Sequence, residues 1–204
     1  MSVPRILAFL CAAGLLGGCA ALESRIAPPR VIAMPNADFE ADFPENSNCP
    51  LDWGCVMHNN PRSFRYYLDE KTPASGKRSM CIEPVVKESW ARAVQASVDR
   101  TLRGSRLRLS MTVRVEGAES GNSEQGAGPF IAAQGGRGEY LAQKANLVKG
   151  PPGWQRLAAE LVVPDGAFVL EYGVVLVGPG KVCIDDVRLE VVQGPKTPVQ
   201  SSPF

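Results

Sequence analysis

Residues 182–192, VCIDDVRLEVV, alternate apolar and polar side chains around two adjacent carboxylates. Successive side chains of a strand point to opposite faces, so the pattern assigns a β-strand with one buried face. Cys183, Val187, Leu189 and Val191 share a parity that includes Asp185, whereas Asp186, Arg188 and Glu190 share the polar one. Asp185 is therefore expected to face the interior and Asp186 to face water. A buried carboxylate is costly unless something satisfies its oxygens, so Asp185 needs partners.

The same alternation recurs upstream. In RLRLSMTVRVE, residues 106–116, Leu107, Leu109, Met111, Val113 and Val115 point one way. Arg106, Arg108, Ser110, Thr112 and Arg114 point the other. MCIEPVV, PFIAAQ, WQRLAAELVVP and AFVLEYGVVLVG read as further strands, separated by Pro and Gly turns. SWARAVQASVD has a helical composition, but Trp90, Val94, Ala96 and Val98 also fit one strand face, with Arg92 as the exception. ESGNSEQGAG is a polar, Gly-rich loop, and no long helical stripe or internal repeat appears. Many alternating strands in a chain of single-domain length predict an all-β sandwich of two antiparallel sheets.

The N-terminus carries an address. MSVPRILAFLCAAGLLGGCAALES has one base, Arg5, then an apolar run from Ile6 to Leu16. That run falls short of the about 20 residues of a membrane span and fits a secretory signal. Leu16-Gly17-Gly18-Cys19 resembles the bacterial lipobox. The resemblance implies a signal peptide over 1–18, cleavage before Cys19, and a thioether-linked diacylglycerol with further acylation (palmitate) on Cys19. Several acyl chains anchor a protein stably. Ala20, rather than Asp, follows the cysteine, which in the Gram-negative pattern favours the outer membrane. Residues 19–33 read as a lipidated tether and 194–204, GPKTPVQSSPF with its Pro and polar residues, as a disordered tail.

Arg5 is the one charge in the signal, so the remaining chain has equal numbers of acids and bases. That balance lacks the basic footprint of a nucleic-acid binder. Export also suits the cysteines. Beyond Cys11 and Cys19, Cys49, Cys55, Cys81 and Cys183 remain, an even number for an oxidising compartment. Three pairings are possible. We favour Cys49–Cys55, which closes the loop CPLDWGC, with Cys81–Cys183 joining two strands. Zinc is the alternative, but no CxxC pair or histidine stands at ligand spacing.

The stretches NADFEADF (36–43), CPLDWG (49–54), SGKRSMCI (75–82) and residues 153–192 together resemble the galactose-binding-like jelly roll of carbohydrate-binding modules. The resemblance covers residues 34–193 and implies a jelly-roll β-sandwich with a carbohydrate-binding role. Residues 116–138 depart from the pattern. The family also implies a structural calcium where the first strand meets the last, with Glu40 and Asp185 matching its acidic ligands. The competing reading is that Asp185 hydrogen-bonds loop N–H groups.

Catalysis has little support in the residues. His58 is the sole histidine, no Gly-x-Ser-x-Gly elbow occurs, and Glu83 and Glu88 sit in no catalytic motif. The expected activity is binding without turnover. Sugar rings pack their C–H faces on aromatic side chains, so the candidates are Trp53, Phe64, Tyr66, Tyr67 and Tyr140, with Trp90 and Trp154 assigned to the core. The expected partner is a carbohydrate, or alternatively an envelope protein bound by an accessory lipoprotein without a sugar site.

Overall fold

The computed structural model describes residues 29–118, 122–150 and 153–195. In chain order the strands are β1 (Arg30–Ile32), β2 (Gly54–Met57), β3 (Phe64–Asp69), β4 (Ser79–Pro84), β5 (Trp90–Ser97) and β6 (Arg106–Glu116). They continue with β7 (Gly126–Gln134), β8 (Tyr140–Ala145), β9 (Gln155–Val162), β10 (Val169–Val177) and β11 (Lys181–Gln193). A single 3-10 turn, Arg100–Leu102, is capped by the Asp99 side chain, which accepts from Thr101 N–H. The ambiguous segment 89–99 is thus a strand. β2, β8 and the short β1, which lies inside the expected tether, are elements that sequence reading did not find. The signal, Cys19 and the tail beyond residue 195 lie outside the described residues.

All pairings are antiparallel and form two sheets. One has six strands in the order β3-β4-β11-β6-β9, with β1 also on β11; the other has five in the order β2-β5-β10-β7-β8. This is the expected jelly-roll sandwich. Leu107, Leu109, Met111, Val113 and Val115 are completely buried between the sheets, as their parity requires. Opposite them the five-stranded sheet contributes Ala91, Ala93, Ile131, Tyr172, Val174 and Leu176.

β11 breaks its own alternation. Asp185 pairs with Thr112 and Arg188 with Ser110, so three steps on β11 face two on β6. The extra residue makes a β-bulge, with Asp186 at a φ of 49°. Before the bulge Val182 and Ile184 enter the core; after it Val187 and Leu189 do. Asp185 is fully buried, as expected, but on the opposite, outer face of the sheet beside Ser79. A single parity carried through the whole strand therefore assigns Asp185 the correct burial and the wrong face. The bulge also divides the β11 edge, with β4 pairing on residues 182–184 and β1 on 189–191.

Both favoured disulfides are present. Cys49–Cys55 closes the small loop, with Cα atoms 5.7 Å apart. Cys81–Cys183 is a directly opposed pair of β4 and β11, with Cα atoms 4.0 Å apart. It lies under a cap on the outer face. Arg114 donates to Asp69 and to the Thr72 carbonyl, and Trp154 covers its guanidinium at 4.7 Å. Trp154 is thus a lid on this cap, anchored by Nε1 to Thr72, and not the core aromatic the sequence suggested.

Candidate functional site

The outer face of the five-stranded sheet is only partly clothed. β5 turns its small residues, Ala91 and Ala93, towards the core, so Trp90, Arg92 and Val94 on the other parity point outward. β10 presents Glu171, Val175 and Val177 on the same side, β7 presents Phe130 and Ala132, and β8 presents Tyr140 and Gln143. Val94, Phe130, Ala132 and Val175 form a second small apolar cluster there, against Leu147 and Val177. Leu147 reaches it because the 146–148 segment runs close over β7. A Cβ on Gly128 would come within 2.0 Å of the Asn146 carbonyl.

Between this segment and β5 lies a groove of about 560 Å³, lined by Trp90, Arg92, Phe130, Tyr140, Gln143 and Val175 among others. Arg92 organises it. Its guanidinium carbon lies 4.5 Å from the Trp90 ring centre and 4.8 Å from that of Phe130. Its Nη1 donates to the Tyr140 oxygen at 3.0 Å and lies 3.5 Å from Glu171 Oε2. The Tyr140 hydroxyl donates in turn to the same Glu171 oxygen at 3.2 Å. The Arg92 Nε–H is buried and meets no acceptor among the described residues. Phe130 is 7 % exposed and Tyr140 44 %, so Phe130 forms floor and Tyr140 forms rim.

The remaining aromatic candidates are elsewhere. Trp53, Phe64 and Tyr66 are only 7 %, 5 % and 5 % exposed and belong to the core, which corrects their assignment to a ligand platform. Trp53 packs on Phe39 at 5.0 Å between ring centres and donates to the Asn36 carbonyl. Tyr66 donates to the carbonyls of Arg92 and Val56, and burial pushes its phenol far above the usual range. Tyr67 lies on the six-stranded sheet, hydrogen-bonded to Glu83 with Arg65 over its ring. Burial first, then the Glu83 charge, push it up to about 12. Only Tyr140 of the set reaches the groove. Trp90 is the residue that sequence reading missed there, although Arg92 on its own parity was the available signal of an open face.

Glu40 and Asp185 come together around one loop. Glu40 Oε1 accepts from the backbone N–H groups of Lys77 and Arg78, which hold its pKa below the ordinary value. Asp185 Oδ2 accepts from Ser75 N–H at 3.0 Å and the Ser79 hydroxyl at 2.9 Å, and Oδ1 accepts from Asp186 N–H. Burial nevertheless raises its pKa. Calcium needs about six to eight oxygen ligands. Here the named partners are N–H and O–H donors aimed at the carboxylates, and among the described residues neither acid joins a cluster of three ligand groups. This donor set does not fit a calcium site. It fits a clamp that pins residues 75–79 to the loop between β1 and β2, through Glu40, and to β11, through Asp185.

His58 lies beside Glu88, Asn59 and Trp90. Its Nδ1 lies 2.9 Å from Glu88 and 3.0 Å from Asn59, and its ring meets the edge of Trp90 at 5.9 Å. The Ser89 N–H and His58 hold Glu88 below its ordinary pKa.

No protein-family model matches the chain. It is 28% identical over 142 residues to an uncharacterized HTH-type transcriptional regulator, YbfP, of Bacillus subtilis (strain 168), a match that spans 66% of this chain and 46% of that protein. The chain thus spans about half the length of this curated relative. Among the described residues there is no α-helix, hence no helix-turn-helix. Among solved structures, a cyclase from Fischerella sp. TAU in complex with 4-(1H-indol-3-yl)butan-2-one is 15% identical with a TM-score of 0.55, covering 82% of this chain and 99% of that one. The CBM22-1-CBM22-2 tandem of Paenibacillus barcinonensis Xyn10C is 12% identical with a TM-score of 0.54, covering 82% and 47%. Tailspike protein 4 of bacteriophage CBA120 is 14% identical with a TM-score of 0.54, covering 76% and 21%. At these identities the shared property is the fold. The chain has the jelly-roll sandwich fold that its sequence led us to expect, a fold it shares with the CBM22 tandem and the cyclase alike.

Proposed function

We propose that this chain is a non-catalytic, glycan-binding lipoprotein of the bacterial envelope, held in the outer membrane by lipid on Cys19. The observation that carries the reading is the outward quartet of Trp90, Arg92, Tyr140 and Glu171. A pyranose offers C–H faces, which suit the indole and phenol rings, and a rim of hydroxyls. Arg92 supplies donors to that rim and Glu171 acceptors. Arg92 and Glu171 offset one another and Lys144 adds one further cation to the lining, so neutral glycans are tested first with acidic ones beside them. The shared fold of carbohydrate-binding modules supports the same reading.

A soluble Cys19→Ser form should shift on native gels containing neutral polysaccharides and leave their chain length unchanged. Weak affinity is expected of one small site. A screen of neutral and acidic glycans without a hit, alongside an envelope protein that co-purifies, would replace this reading with that of an accessory factor.

A further inference from the structure

A second hollow lies beside the Trp90 end of the groove. From Trp90 the chain passes back through Ser89, Glu88 and Lys87, and from Val177 it passes on through Gly178 and Pro179. These residues, with Pro84, Val85, Val86 and Gln125, line this hollow of about 780 Å³. The two hollows flank the backbone pair in which Gly178 N–H donates to the Ser89 carbonyl at 2.8 Å, Ser89 and Gly178 lining one and their chain neighbours Trp90 and Val177 the other. The walls are fixed: Val85 and Val86 N–H both reach the Ser63 carbonyl, at 2.7 and 3.3 Å. Gly178 has a φ of 81°, a backbone conformation that favours glycine at this turn.

The chemistry changes between the hollows. The groove has aromatic rings with a paired donor and acceptor, whereas no aromatic side chain lines the second hollow. Its apolar surface is aliphatic: Pro84, Pro179, and Val85 and Val86, which are 62 % and 50 % exposed. Aliphatic walls do not supply the flat stacking surface a further sugar ring would use, but they suit hydrocarbon. We infer that the site takes an amphiphilic glycan, with its sugar over Trp90 and Arg92 and an alkyl or acyl substituent on Val85, Val86 and Pro179. This rests on the sugar-binding reading of the groove and names the ligand class within it.

The test uses the full chain carrying Cys19→Ser, titrated calorimetrically with methyl, butyl and octyl β-glucosides, β-galactosides and β-xylosides below micelle formation. Affinity should rise severalfold with each early methylene, up to about fourfold where a methylene is fully buried. Val85→Asp and Val86→Asp should abolish that gain and keep the affinity for the methyl glycoside or polysaccharide; Trp90→Ala should lower affinity across the series. Both valines are exposed, so these variants are expected to keep the wild-type melting temperature. Glycan binding with equal affinity for methyl and octyl forms would overturn the inference and leave the sugar site standing. A gain that survives both valine variants would also overturn it. Failure of every glycoside and polysaccharide to bind would overturn the sugar reading and this inference with it.

Discussion

The Arg92 guanidinium lies 4.5 Å from the Trp90 ring centre on the outer face of the five-stranded sheet, while Ala91 between them is completely buried in the core. One strand thus divides its labour by parity, with small residues inside and binding chemistry outside. Trp53 offers the control. Trp53→Ala removes a buried ring packed on Phe39 and should destabilise by about 3–5 kcal/mol in denaturant titrations. Tyr140→Phe should leave stability almost unchanged and weaken glycan binding, since it removes only the hydroxyl that bridges Arg92 and Glu171. Equal stability losses in both variants would contradict this division.

Asp185 makes a prediction with a sign. Its folded pKa is raised above the unfolded value by burial. Its protonated form is therefore favoured by folding, and the associated stability is present below the unfolded pKa near 4 and lost as pH rises through the folded pKa. Asp185→Asn removes that titration, so its stability relative to wild type should improve from pH 4 to pH 7. Asp185→Ala instead strands Ser75 N–H and the Ser79 hydroxyl and should cost about 1–3 kcal/mol. Because Glu40 and Asp185 hold donors, EDTA should leave the melting temperature unchanged; a drop that added calcium reverses would restore the metal.

The Cys81–Cys183 bridge joins residues 102 apart in sequence and Cys49–Cys55 residues only 6 apart. In the loop-entropy model the longer closure contributes more, about 4–5 kcal/mol. Replacing Cys81 and Cys183 by alanine should lower the denaturation midpoint further than replacing Cys49 and Cys55. The reverse order would show that the model fails here.

The anchor is tested separately. Intact mass of the protein purified from membranes should equal that of a chain beginning at a lipid-modified Cys19, and Cys19→Ser should appear in the soluble fraction. An unmodified Cys19, or a chain retaining residues 1–18, would refute the lipobox reading.

The sandwich was legible because its central strands repeat simple patterns. β6 is read residue for residue from Leu107, Leu109, Met111, Val113 and Val115. Asp185 shows where such reading stops: a one-residue bulge exchanges the faces of β11, and no composition rule marks it. The site was harder. Aromatic residues are found both in cores and on binding faces, so Trp53 and Trp90 look alike until their parity is fixed by neighbouring strands. Arg92 was the one residue that distinguished them. β8, with its polar and small residues, was missed because an edge strand needs no continuous apolar face.

The central claim is that the outer face of the five-stranded sheet is the glycan site. Its most direct measurement is the affinity of the Cys19→Ser protein and its Trp90→Ala variant for the best polysaccharide from the screen, with melting temperatures measured in parallel. The account predicts a loss of at least about tenfold for Trp90→Ala, as for a stacked aromatic at a binding hot spot, with melting unchanged. Undiminished binding by a folded Trp90→Ala protein would contradict it.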